Sequence, residues 1–260
     1  MSPNPVRAKL RTGAACYGLW VTLESPAVTE IAAALGVDWI VVDMEHGHLS
    51  YREAAEHLRA VRGSPTAVLV RVPEMTRDSV KRALDVGAHG VLLPLVKTAE
   101  DVARGLGYGR YPPQGERGVG GERAVQWGLG FQEYLAQANA ETLIIPIIER
   151  YEAVDNIEAI LAVPGLEAIF FGPSDLSTSQ GYLGQWEGPG VAEQIQRVRA
   201  LAAARGIVAG VLSTGPEDAV ARREQGFKLI GLGADTGLLI RGLRQMLTAV
   251  QGPPEVKLWF

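Results

Sequence analysis

The chain has 260 residues, 47% of them apolar, and a formal net charge of −4. That size fills one large core or two small ones, and barrels of strands and helices commonly reach about 250 residues as a single domain. The acidic balance argues against a nucleic-acid-binding face, the single cysteine (Cys16) excludes an intrachain disulfide and fits a reducing compartment, and no apolar run approaches the roughly 20 residues of a membrane helix.

The opening "MSPNPVRAKL" is polar and broken by proline, unlike a secretory signal, so a cytoplasmic location is expected. The first predicted strand is "CYGLWV" (16–21), followed by a helix over 25–36 that opens with a Ser25 cap and a proline and closes on Gly36. The second strand, "WIVVDM" (39–44), leads into "EHGH" and a helix over 50–63. Strands are then expected at 67–72, 90–96, 143–149, 168–173, 207–213 and 229–235. Helices alternate with them at 76–88, 98–106, 152–161, 191–206, 217–226 and 237–250. Short, continuously apolar strands of this kind suit parallel pairing with both faces covered.

Eight strand-then-helix units in strict alternation imply right-handed crossovers and close most economically into a (β/α)₈ TIM barrel. The expectation is a single α/β domain over 1–260, with 251–260 as a C-terminal tail. An open doubly wound sheet would carry a Gly-rich first turn, whereas "VTLESPA" has no glycine. The stretch "RYPPQGERGVGGERAVQWGLG" (110–130) is too long for a plain connector and is expected to be functional or mobile. The tail ends in Trp259 and Phe260, which should dock on the barrel or on a neighbour.

Active sites of such barrels form at the C-terminal ends of the strands. Charge collects there: Asp43, Glu45 and His46 after the second strand, Arg71 on the third, Glu149 on the fifth, Asp175 after the sixth and Asp235 on the eighth. Glu149 and Asp175 come from neighbouring strands, whose spacing is about 5 Å, so they can share one ion. Two hard oxygen donors with an otherwise open shell suit Mg²⁺ or Mn²⁺, with Co²⁺ a further candidate. The alternative is a pair of surface carboxylates, with Asp175 capping "LSTSQG". Arg71 can hold a carboxylate or enolate oxygen, or form a buried salt bridge to Asp43 or Glu45; the two roles are compatible. His46 is the natural general base, while His48 and His89 read as surface or packing residues. "RGVGG" (117–121) does not sit between a strand and a helix, and "GLGAD" (231–235) lacks a partner glycine run, so neither makes a convincing phosphate loop.

The segments "VDWIVVDMEHGH", "VRVP", "KRALDVGAHGVLLPLV", "GRYPPQGERGVGG", "IIPIIER" and "FFGPSDLS" together resemble the HpcH/HpaI class II pyruvate aldolases. That family includes 4-hydroxy-2-oxoheptanedioate aldolase and 2-keto-3-deoxy sugar acid aldolases. The similarity spans about Gly18 to Leu239. It implies a barrel that is generally hexameric, a dimer of trimers, with a final helix exchanged between subunits. It also implies Glu149 and Asp175 as metal ligands, His46 as base, Arg71 as enolate stabiliser, and the backbone at Ser174 as a keto-acid contact. An Asp matching Asp85, in "ALDVGA", would raise the basicity of the histidine, yet Asp85 lies near a helix end and would need an approach from another subunit. Where many members read Gln-Ile-Glu, this chain reads Ile147-Ile148-Glu149, which puts substrate preference in doubt.

The expected reaction joins or separates a pyruvate or hydroxypyruvate enolate and an aldehyde. The aldehyde pocket should draw on Trp20 and Leu23 after the first strand and Leu212 and Ser213 after the seventh, with Asp43 a further substrate contact and "RGVGG" closing over the site. Simple packing is an equally open role for Trp20. A Schiff-base mechanism would need a lysine inside the barrel, and Lys81, Lys97, Lys228 and Lys257 fall on helices, rims or the tail. The rival readings are an oxaloacetate decarboxylase, a CoA-ester lyase of the same superfamily, and a non-catalytic keto-acid-binding barrel.

Overall fold

The structure, a computed structural model, describes residues 3–253. In chain order it runs α1 (Pro5–Arg11), β1 (Cys16–Val21), α2 (Pro26–Ala34), β2 (Trp39–Asp43), α3 (Tyr51–Ala60), β3 (Ala67–Arg71), α4 (Arg77–Asp85), β4 (Gly90–Leu93) and α5 (Ala99–Gly109). A 3-10 segment (Arg123–Gly128) precedes α6 (Phe131–Glu141), β5 (Leu143–Ile148), α7 (Tyr151–Asp155), α8 (Ile157–Leu161), β6 (Ala168–Phe171) and α9 (Pro173–Ser179). The chain ends with α10 (Val191–Ala204), β7 (Val208–Leu212), α11 (Pro216–Gln225), β8 (Leu229–Ala234) and α12 (Asp235–Gln251).

All eight strands pair in parallel, and β8 returns to β1 to close the barrel. Every strand begins within one residue of its predicted start. The helices depart more. The segment expected at 152–161 divides into α7 and α8 at Asn156, and α1, α6 and α9 are additional. Ser50 and Glu53 form a capping box on α3, as the sequence suggests. Ser25, by contrast, makes no side-chain cap bond on α2, where Pro26 already fixes the first helical φ.

The polar opening of the chain is itself folded. Asn4 caps α1 and donates from Nδ2 to His89 O at 2.8 Å and Glu141 O at 3.0 Å. Val6 is buried with Cys16, Ala67 and Leu143, so α1 plugs the N-terminal end of the barrel. The Asn4-Pro5 pair is a helix-start signal of the usual kind.

Strand parity sorts the apolar residues. Trp39, Val41, Leu69, Leu92, Ile145, Ile147 and Phe170 fill the barrel interior, while alternate residues such as Ile40, Val42, Val68, Val70 and Ile169 pack under the helices. Gly18 is demanded by this interior: a Cβ there would lie 1.9 Å from the Trp39 ring. The same parity continues upward and aims Trp20, Asp43, Arg71 and Glu149 toward the C-terminal mouth.

The β8–β1 seam is irregular, with a register shift between Gly18 and Trp20. Asp235 ties it. Its buried carboxylate accepts from Thr22 N and Oγ1, Leu23 N and Thr236 N. Asp235, expected among the converging site charges, is a seam fastener instead, because its oxygens are turned to backbone donors of the β1–α2 connection. Beyond its first residues α12 leaves the barrel, exposing Leu239, Leu243, Met246 and Val250. Among the described residues no helix is long and apolar enough to cross a membrane. The tail expectation for Trp259 and Phe260 lies outside the described residues.

Replacing Asp235 with alanine should lower unfolding free energy by about 2–4 kcal/mol, because several buried donors lose their acceptor together. Urea denaturation checks this, with exposed Asp78→Ala as the reference; equal midpoints for the two variants would contradict the fastening role.

Candidate active site

At the barrel mouth Arg71 is the organising side chain. In the β2–β3 register Asp43 stands directly beside it. Arg71 donates from Nε to Asp43 Oδ1 at 2.9 Å and from Nη2 to Oδ2 at 2.5 Å, a fork on a carboxylate. Its Nη1 lies 2.7 Å from Glu45 Oε2, as an ion pair without hydrogen-bond alignment. The Trp20 ring stacks on the guanidinium at 5.2 Å, and Trp20 Nε1 donates to Asp43 Oδ2 at 3.1 Å. Asp43 Oδ1 also accepts from the backbone N–H groups of Glu45 and His46, which fixes the turn carrying the histidine.

Burial alone would raise the Asp43 carboxyl, but the bonds and charge of Arg71, with the Trp20 and His46 N–H groups, hold it below the usual range. Glu45 goes the other way. Burial raises it, Asp43 and Asp175 raise it further, and Arg71 and His46 only partly oppose them. Glu149, 2% exposed, is pushed up to about 7 by burial and by the charges of Glu45 and Asp175, against the Leu95 N–H donating to Oε1 at 2.6 Å and the charge of Arg71. Gly172 makes room for this group, since a Cβ there would come within 2.7 Å of Glu149 Oε2.

A cavity of about 150 Å³ opens here, lined by His46, Arg71, Glu149, Ser174 and Asp175 on its polar side. Its apolar side is Trp20, Ile147, Phe170, Trp186 and Leu212. Asp175 sits in the first turn of α9, whose N-cap is Gly172, so it does not cap that helix. The sequence therefore brings His46, Arg71, Glu149, Asp175, Ser174, Trp20 and Leu212 to one place. Asp43 is not on the cavity wall; buried behind Arg71, it orients the guanidinium and leaves no oxygen for a ligand. Ser213 turns away to donate to Gly231 O at 2.7 Å, and Leu23 does not line the cavity. His89 Nδ1 accepts from Val68 N at 3.2 Å, a packing role, and His48 is exposed. Lys97 is exposed and pairs with Glu152 at 3.5 Å.

Two expected contributors lie away from the cavity within one chain. Asp85 ends α4 and so lies at the N-terminal face, away from His46, where it accepts from Arg117 Nη2 at 2.7 Å. The loop carrying "RGVGG" lies at that same end, because it connects a helix to the next strand. There Arg117 is buried between the Tyr111 and Tyr134 rings, at 4.7 and 5.6 Å, and the loop does not close over this chain's cavity. Phe170 and Trp186 were missed. Inward strand parity points to Phe170; nothing in the pattern of "GYLGQWEGPG" marks Trp186.

The donor set suits a divalent cation. Asp43, Glu45, Glu149 and Asp175 gather around one guanidinium, more acid groups than Arg71 can pair. Both Glu149 and Asp175 offer hard carboxylate oxygens to the cavity. Among the described residues no cluster of three or more His, Cys, Asp or Glu in metal-binding arrangement occurs, so a cation here would rest on these two carboxylates and on ligand oxygens.

Residues 16–242 match the family model described as HpcH/HpaI aldolase/citrate lyase. A 4-hydroxy-2-oxovalerate aldolase of Novosphingobium aromaticivorans is 39% identical over 240 residues, covering 92% of this chain and 91% of that one. A 5-keto-4-deoxy-D-glucarate aldolase of Salmonella arizonae is 38% identical over 247 residues, covering 94% and 95%. The crystal structure of an HpcH/HpaI aldolase/citrate lyase family protein from Burkholderia cenocepacia superposes with a TM-score of 0.90 at 37% identity, over 95% of this chain and 99% of that one.

Two measurements test this electrostatic arrangement. Asp43→Ala strands a buried guanidinium and should cost about 3–5 kcal/mol of stability in chemical denaturation, whereas a loss under about 1 kcal/mol would contradict its role. In chelator-treated protein the raised Glu149 carboxyl keeps its proton where the unfolded chain, with a value of 4.5, has lost it. Its contribution is thus full below that value and declines as pH climbs to about 7 and beyond, on the order of 3 kcal/mol. Glu149→Gln should shrink the stability difference between about pH 5 and about pH 8; an unchanged difference would contradict the assignment.

Proposed function

The chain belongs to the HpcH/HpaI aldolase/citrate lyase family, a family of carbon–carbon lyases, and we propose that it is a divalent-metal-dependent class II aldolase cleaving or forming 4-hydroxy-2-oxo acids. The observation that carries this reading is the convergence of Glu149, Asp175, Arg71 and His46 on one small cavity.

Glu149 and Asp175 would hold Mg²⁺, Mn²⁺ or Co²⁺, which when bound supplies Lewis acidity toward a 2-oxo acid. Arg71, immobilised by Asp43 and stacked on Trp20, presents a fixed positive charge where the enolate oxygen develops; such preorganised charge supplies a large part of a rate enhancement. The backbone of Ser174 contributes to holding the acid. In cleavage His46, directly or through a water, accepts the proton of the 4-hydroxyl. The C3–C4 bond breaks, its electron pair passes to C3 as the pyruvate enolate, and C4 becomes the aldehyde carbonyl. The proton then returns to C3. With no lysine lining the cavity among the described residues, an imine route has no nucleophile.

Asp85 enters this mechanism from a neighbouring copy, since its own barrel places it at the opposite end. We infer a homo-oligomer, a hexamer built as a dimer of trimers, working in the cytoplasm on small-molecule substrates; the exposed apolar side of α12 supports association but not its number.

Release of pyruvate from a 4-hydroxy-2-oxo acid should stop with a chelator and return with Mn²⁺. Glu149→Ala or Asp175→Ala should lower turnover about a hundredfold or more. Turnover indifferent to chelator and to both substitutions would overturn the reading. Leu243→Glu with Met246→Glu should shift the sedimenting species to smaller mass; an unaltered species would remove the role of α12.

A further inference from the structure

We propose that the acceptor side of this cavity takes a short uncharged aldehyde and rejects one bearing its own carboxylate, with Trp186 setting that limit. The proposal rests on the aldolase reading and adds the chemical class of the second substrate.

Charge decides it first. Arg71 is the one permanently cationic side chain that this chain places on the cavity wall; Asp43 fixes it through Nε at 2.9 Å and Nη2 at 2.5 Å, and its remaining charge serves the oxygen of the keto acid. His46 must be neutral to act as base. The carboxylate of the keto acid would be met by the cation that Glu149 and Asp175 would hold. A second carboxylate, on the aldehyde, would find no second cation among the lining residues of this chain and would lie near its acids. Burying such a group unpaired is heavily unfavourable.

The wall it would meet is apolar. Ile147 and Phe170, inward residues of β5 and β6, make the floor beside Trp20, and Leu212 at the end of β7 makes one side. Ile147 offers no polar atom to an acceptor on that wall.

Trp186 closes the remaining side, and its segment is fastened at neighbouring residues. Gly188 N donates to Ser177 Oγ at 2.6 Å in a buried bond, and a Cβ at Gly188 would lie 2.5 Å from Tyr182. Glu187 Oε1 accepts from Arg222 Nη2 at 2.8 Å, and Arg222 is held in turn by Asp218 at 2.9 Å. The Glu187 carboxylate is therefore turned outward, while the half-buried indole of Trp186 is set into the cavity. Held by the two residues that follow it, this indole limits acceptor length as well as polarity.

The test uses the full-length chain with Mn²⁺ and pyruvate. Exchange of the pyruvate methyl protons in D₂O is measured first, because it reports enolate formation without any aldehyde. Butanal and succinic semialdehyde, equal in carbon count, are then compared as acceptors by kcat/KM. We expect butanal to be favoured about tenfold or more. Trp186→Lys, which brings a cation to the wall, should narrow or invert that ratio; Trp186→Ala should raise hexanal relative to butanal; Trp186→Phe should keep the wild-type order. If exchange occurs but succinic semialdehyde serves as well as butanal, or Trp186→Lys leaves the ratio unmoved, the acceptor proposal is wrong while the aldolase reading stands. If neither exchange nor aldol product forms, both fall.

Discussion

The mouth of this barrel holds more negative charge than its own cations can balance. One guanidinium, Arg71, lies among Asp43, Glu45, Glu149 and Asp175, and most of that cluster is withdrawn from water. Asp43 resolves its share by a direct fork with Arg71. Glu149 cannot: it has one backbone N–H and like-charged neighbours, and its carboxyl rises accordingly. A buried acid under that strain is a common sign of a functional site. The proposed divalent cation at Glu149 and Asp175 would relieve this imbalance.

The arrangement has a division of labour. Asp43 is among the least exposed acids in the chain at 1%, yet its service is mechanical: it holds Arg71 and the turn that begins at Glu45. Glu149 and Asp175 keep oxygens turned to the cavity. Trp20 joins the two sets, stacking on Arg71, bonding Asp43 and packing at 5.5 Å on Phe170. Trp20 both packs and lines the cavity, so packing does not bar it from the substrate-contact role posed for it.

Much of this was legible in the sequence because strand ends and strand parity are local properties. Short aliphatic runs set every strand start, and a carboxylate just after such a run, as at Glu149, must point into the mouth. Asp235 shows the limit. It also ends a strand, but the register shift in the β8–β1 seam turns it to backbone donors, and no local pattern announces such a shift. Trp186 owes its place to an anchor 35 residues away, between Glu187 and Arg222, which composition cannot reveal. Asp85 and the Gly-rich loop were matters of sidedness: the C-terminal ends of the helices in this topology face away from the C-terminal ends of the strands, so residues there do not reach the cavity of their own chain.

The central claim is that Glu149 and Asp175 together complete one cation site whose remaining positions belong to the keto acid. Titrating Mn²⁺ into the chelator-treated full chain by electron paramagnetic resonance, with and without pyruvate, tests it most directly. The account predicts one bound ion per chain, tightened by pyruvate and lost in Asp175→Asn. Mn²⁺ uptake that is absent, or that persists unchanged in Asp175→Asn and ignores pyruvate, would contradict it.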